Sequence, residues 1–196
     1  MIKNIGIEEQ VRLWDGCQSY WKLDETSGTF VADSIGGNNG TATSINWDSG
    51  GKNGYCASFN ANTDKISMGN NIVFERTNSW TFSMWVKRGV VTSSTYMLVS
   101  KSTSYTQGYA IYFTHYNDYI EFNVAGTGVK RFYGTSVNRF SGTTDWYHIV
   151  WTYAGTSTYQ GNKIYVNGVE EAFAGTNQGT FDATIVTTAP FLLGNR

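Results

Sequence analysis

The chain has 196 residues, of which 40% are hydrophobic and 16% aromatic, and it carries few charges (15%) at a net charge of −1. That length suits one domain with a self-sufficient core, because sandwiches and barrels run to about 200–250 residues as single units. The balance of 14 Lys and Arg against 15 Asp and Glu, with no basic block, leaves no electrostatic footprint for nucleic acid or an anionic membrane surface.

A single proline argues against low-complexity and polyproline classes, and the 22 glycines are turn material. Tyr, Trp, Phe, Val, Ile and Thr favour pleated, half-buried strands. The composition therefore reads as all-β. No stretch is apolar enough for a transmembrane helix, so membrane insertion is not expected.

Residues 1–15 read as a separate N-terminal segment, short and helical or extended. Ile7, Val11 and Trp14 fall at i, i+4 and i+7, one apolar stripe over two turns. Such a stripe packs on the edge of a sandwich or docks onto a larger assembly. Glu8, Glu9 and Arg12 interrupt the apolar run that a secretion signal requires. The expected location is a virion or an extracellular site reached without such a signal, for example by lysis.

From residue 18 onward, short alternating or aromatic runs are separated by Gly, Asn and Ser. Strands are expected at 18–24, 55–60, 65–69, 80–87, 96–101, 109–115, 119–124, 129–133, 146–153, 163–166, 169–173 and 191–194. Many short strands with regular turns indicate a sandwich or barrel. Asn167-Gly168 is the strongest hairpin signal, because both residues accept φ > 0. Asn117-Asp118 is expected to turn the chain in the same way. The segments 26–53 and 174–188 are long and polar, and read as loops that gather at the rim of a sandwich.

Cys17 shares its parity with core-facing Trp21 and Leu23, whereas Cys56 opposes the inward-facing Ala57 and Phe59. These directions argue for free thiols over a bridge. In WTFSMWVK, Trp80, Phe82, Met84 and Val86 form one parity set, and Thr81, Ser83, Trp85 and Lys87 the other. Residues 146–153 are bulky on both parities, which predicts a central strand covered on both faces.

Five segments in order, YWKLDETSGTFVADSIGGNNGT (20–41), GYCASFN (54–60), WTFSMWVK (80–87), WYHIVWTY (146–153) and KIYVNGV (163–169), resemble the laminin-G-like branch of the concanavalin A-like lectin/glucanase superfamily, particularly its bacterial and phage modules. The resemblance covers residues 16–196. It implies an antiparallel two-sheet jelly-roll sandwich that binds carbohydrate or another surface ligand, sometimes with calcium.

Two departures stand out. Ala154-Gly155 replaces the usual Asp-Gly turn, and the sequence ends at Arg196, where the family continues with a Gly-x-Ile-Asp-type strand. The last strand is therefore expected to be lacking, which leaves an open edge for a homo-oligomer to pair through.

Outward-facing rings on a concave sheet stack on sugars, which makes Tyr109, Tyr112, Tyr116, Tyr119 and Tyr133 the candidate ligand-binding residues. Calcium requires six to eight oxygen ligands. Glu25, Asp33, Asn38 and Asn39, on a glycine-rich turn, offer such oxygens, although Asp33 equally caps a turn through its own backbone.

Glycoside hydrolases of this fold place paired carboxylates at even spacing on one strand. No Glu-x-Asp or Glu-x-Glu occurs, and Asp118 and Glu121 diverge. His115 and His148 lie in no catalytic motif. The sequence therefore reads as a non-catalytic recognition module for a glycan or cell surface, plausible as a phage tail fibre or capsid decoration protein contacting other virion proteins. A purely structural virion protein without a sugar ligand is the alternative, and a glycoside hydrolase is the second.

Overall fold

The computed structural model describes residues 14–89, 95–103, 106–114, 119–127, 140 and 144–194, together with the backbone of 131–136. Most of the N-terminal segment, and with it its helical stripe, lies outside the described residues. So does the Asn117-Asp118 turn.

The strands are β1 (Phe30–Val31), β2 (Gly40–Thr43), β3 (Asn46–Asp48), β4 (Cys56–Ser58), β5 (Lys65–Ser67), β6 (Trp80–Lys87), β7 (Tyr96–Thr103), β8 (Gln107–Phe113), β9 (Ile120–Ala125), β10 (Arg131–Ser136), β11 (Trp146–Tyr153), β12 (Asn162–Val166), β13 (Val169–Glu171), β14 (Phe173–Gln178) and β15 (Leu192–Gly194). Among the described residues the only helical element is one 3₁₀ turn, Tyr159–Gly161.

Three antiparallel sheets result. The largest runs β1-β2-β5-β15-β7-β8-β9-β10-β14, the second runs β13-β12-β11-β6, and β3 and β4 form a separate hairpin. The all-β sandwich expected from composition is what the chain forms.

The core between the two main sheets is aromatic. Trp151 stacks on Phe82 and Phe122 at ring distances of 5.8 and 5.6 Å, and Phe191 lies 6.0 Å from Phe82. Rings supply large apolar area in few residues, and offset or edge contacts add to area burial. The polar ends are satisfied inside: Trp151 Nε1 donates to Asn162 Oδ1 at 2.7 Å, while Asn162 Nδ2 donates to the carbonyls of Thr158 and Tyr159. One buried amide thus ties the core to the 3₁₀ turn.

Several expectations are met closely. The alternation of Trp80, Phe82, Met84 and Val86 faces the core, with Trp80 buried and the other three half-buried against it. Asn167 and Gly168 adopt φ of 51° and 82° and join β12 to β13, with Val166 opposite Val169. Both cysteines are free and half-buried.

Other expectations are corrected. Residues 18–24 form no strand, since Trp21 makes an isolated bridge to Asp33 and Leu23 sits at φ 57°. Their inward parity holds, with Trp21 stacked on Phe191 at 5.7 Å, but a ladder needs a neighbour to pair with. The presumed loop 26–53 contains β1, β2 and β3, and 174–188 contributes most of β14. In both, Thr, Gly and Asn residues tolerate pairing that their propensity did not announce.

Candidate functional site

Of the five candidate tyrosines, the two on β8 do not share a face. Tyr109 and Tyr112 are three residues apart on β8 and so face opposite sides of the sheet. Tyr109 is 2% exposed, lies among the core rings, and donates its hydroxyl to the Ile72 carbonyl. Burial pushes its ionisation far up. Tyr112 is buried too, and its hydroxyl donates to Glu121 Oε1 directly across the strand pair. Tyr119 is half-buried where the chain enters β9. Tyr133 pairs with Asn123 and Thr176 through β10, its side chain lying outside the described residues, as does all of Tyr116.

The acidic loop is built as a backbone staple. Asp33 Oδ1 accepts from the amides of Tyr20 and Ile35 at 2.8 and 3.0 Å, and Oδ2 from that of Asn38 at 3.0 Å. Burial opposes ionisation of this carboxyl, but the N–H donors of Tyr20, Ile35, Gly36 and Asn38 outweigh it and hold the group ionised far below the usual carboxylate range. Gly36 is required here, because a Cβ would lie 1.8 Å from the Gln18 carbonyl.

Asn39 Oδ1 accepts from the Asp33 amide, Asn38 Nδ2 donates to Ser19 Oγ, and Glu25 Oε1 accepts from Ala32. Glu25 Oε2 is buried with no hydrogen-bond partner among the described residues. Calcium takes six to eight oxygens, and Glu25, Asp33 and Asn39 each already have an oxygen engaged by a backbone amide. Among the described residues no three acidic, His or Cys side chains group to hold an ion.

The chemically richest surface is the outer face of β6 and β11, which sequence reasoning passed over. Residues 146–153 are not covered on both faces: Ile149, Trp151 and Tyr153 are buried, while Trp146, His148, Val150 and Thr152 stay half-exposed. Opposite His148 stands Trp85, 44% exposed, with ring centroids 5.1 Å apart. Ser83 Oγ and His148 Nε2 are hydrogen-bonded at 2.8 Å.

Lys52 Nζ, from the β3–β4 connection, lies 4.5 Å from the Trp85 ring centroid, and Lys87 Nζ lies 5.3 Å from that of Trp146, its register partner. Asn167 Oδ1 accepts from the His148 amide and anchors the hairpin turn beside this strip. The result is two indoles and an imidazole on a rigid sheet, bordered by ammonium and hydroxyl groups. Such a surface offers an apolar ring face and polar handles side by side. The signal was present in the sequence: Trp85 is an aromatic residue within the otherwise polar parity set of Thr81, Ser83 and Lys87.

Comparison with solved structures finds the same fold in botulinum neurotoxin domains. The binding domain of botulinum neurotoxin DC in complex with rat synaptotagmin II superposes with a TM-score of 0.57 at 13% identity, over 91% of this chain and 44% of that one. A structure describing ganglioside-dependent cell entry of botulinum neurotoxin type C gives 0.62 at 12% identity, over 95% and 44%. The serotype C1 binding domain gives 0.60 at 14%, over 91% and 43%. The chain therefore spans less than half the length of these structures.

Comparison with curated proteins gives no match. The family model of the third laminin-G type, described as concanavalin A-like lectin/glucanases superfamily, matches residues 60–196. With the aromatic two-sheet core and this match over most of its length, the chain belongs to the concanavalin A-like lectin/glucanase superfamily.

Proposed function

We propose that this chain is a non-catalytic recognition domain that binds a carbohydrate or glycosylated cell-surface receptor through the outer face of β6 and β11. The observation that carries the reading is Trp85, a large ring left 44% exposed on the sheet and flanked by His148, Ser83 and Lys52. An indole accepts the C–H face of a pyranose, and the neighbouring nitrogen, hydroxyl and ammonium groups match its hydroxyls. Pockets of this kind orient ligands with a few placed polar groups on an aromatic base.

Two further points support it. The neurotoxin structures of the same fold are described as bound to synaptotagmin and dependent on gangliosides. Three described carboxylates are spent on backbone amides: Asp48 accepts from Gly50, Asp64 from Asn60 and Ala61, and Glu75 from Arg76 and Ile185. These are loop fasteners, and a hydrolase needs two carboxyls held ready for substrate. A place on a virion belongs to the same proposal, and co-sedimentation with purified particles tests it.

The decisive experiment is a glycan array probed with the full chain, followed by titration of each hit against Trp85→Ala. At least a tenfold loss of affinity is expected, as for truncation of a central aromatic anchor. Hits that bind the variant equally well, an empty array, or release of reducing sugar from polysaccharide would each refute the assignment.

A further inference from the structure

The second sheet ends at β6, and among the described residues nothing pairs with its outer edge. Hydrogen-bond parity identifies the groups left open. His148 exchanges hydrogen bonds with Asn167 on the β12 side, through its own carbonyl and through the Asn167 side chain. The backbone groups of Ile149 and Trp151 therefore point at β6 and meet those of Met84 and Phe82. The N–H and C=O groups of Thr81, Ser83, Trp85 and Lys87 are turned the other way.

They face a groove of about 2230 Å³. It is lined by the segment 14–24, the strand Cys56–Ser58, Val99, Phe191 and Leu193 of the opposite sheet, and Ser83, Trp85, Lys87 and His148 of the small sheet. The inner side of β6 contributes Phe82 and Met84. Trp80, 6% exposed, also lines the groove, and its Nε1 has no hydrogen-bond partner among the described residues.

We propose that this groove is a strand acceptor, in which one extended segment of a partner polypeptide adds to β6 and continues the sheet. The edge determines the chemistry of the occupant. Donors and acceptors repeating every second residue, about 6.6–6.8 Å apart, match a polypeptide backbone and nothing in a glycan or lipid. The apolar groove and polar outer face require a partner with apolar side chains at alternate positions. On the other parity, acidic or hydroxyl residues suit the neighbourhood of Lys87.

Walls on both sides select a lone strand over the edge of another folded sheet, so edge-to-edge pairing of two copies is disfavoured. The groove also reaches Lys52, Ser83, Trp85 and His148, so the strand site borders the rings of the proposed glycan surface and is told apart from it by using the backbone of β6.

The test is residue-resolved amide exchange on the full chain, with and without a panel of octapeptides alternating Val, Leu, Ile or Phe with Thr or Glu. In the free chain the amides of Thr81, Ser83, Trp85 and Lys87 should exchange rapidly, and at least one peptide should slow them tenfold or more. Thr81→Pro removes one outward N–H without touching the β11 ladder. It should abolish the protection, and Ala57→Trp, which fills the groove from the Cys56–Ser58 strand, should do the same, whereas Trp85→Ala, which keeps the backbone of β6, should leave the protection in place.

Three results would overturn the proposal. Slow exchange of these amides in the free chain at every concentration would show that its own polypeptide fills the groove. Slowing that grows with protein concentration would assign the place to a second copy. Failure of the whole panel to protect the edge would leave the groove without strand-acceptor activity.

Discussion

The central strands β8 and β9 of the large sheet and the edge strand β6 of the small one treat their faces differently. Gly108–Phe113 of β8 are buried at every position, and so are Ile120 and Phe122–Ala125 of β9. In β6 every second residue is exposed. A strand covered on both sides shows in its sequence as a continuous run, and a strand covered on one side as alternation. The difference teaches where to look for function. In β8 and β9 both parities serve packing, whereas in β6 and β11 one parity is released from it and can carry Trp85, Trp146 and His148.

The sharpest way to break that contrast is to truncate one ring from each parity. Trp151→Ala removes a fully buried ring and the donor to Asn162, and should cost about 3–5 kcal/mol in chemical denaturation. An effect below about 1 kcal/mol would mean that the sandwich core lies elsewhere. Asp33→Asn tests the loop staple and should cost roughly 1–2 kcal/mol, as expected when a charged acceptor loses several N–H bonds.

The pH dependence of that loss has a definite sign. Because the folded-state pKa of Asp33 is depressed, its contribution is complete above the unfolded value of about 3.9 and fades only as pH falls through the lower, folded one. The gap between wild type and variant in denaturation midpoint should therefore be flat near neutrality and close only in strong acid. A gap that already closes between pH 6 and 5 would contradict the staple.

Trp85→Ala should shift stability by no more than about 0.5 kcal/mol while removing glycan binding, the reverse of the Trp151 variant. The smallest effect concerns calcium. With Asp33 and Asn39 engaged by backbone amides, melting in chelator and in millimolar calcium should coincide. A rise of several degrees with calcium, together with bound metal by elemental analysis, would assign Glu25, Asp33, Asn38 and Asn39 as ligands.

Legibility in the sequence followed the range of the forces involved. Strands 80–87 and 146–153 were placed to the residue, because their alternation is a local record of one-sided burial. The segment 18–24 carries an equally clear pattern and forms no ladder, because pairing depends on a neighbour that no local pattern encodes. Tyr109 and Tyr112 show a related effect: their ring chemistry is readable, but they differ in parity and both lie buried.

By itself the sequence determined the β class, the hairpin at Asn167-Gly168, the inward set of β6 and the free cysteines, all of which rest on period-two spacing and local backbone preference. Only the tertiary structure decided that Asp33 fastens backbone, that Trp85 and His148 stand together on an open face, and that one edge of β6 borders a groove. Those outcomes depend on which residues distant in sequence arrive opposite one another, and that is set by the packing of whole sheets.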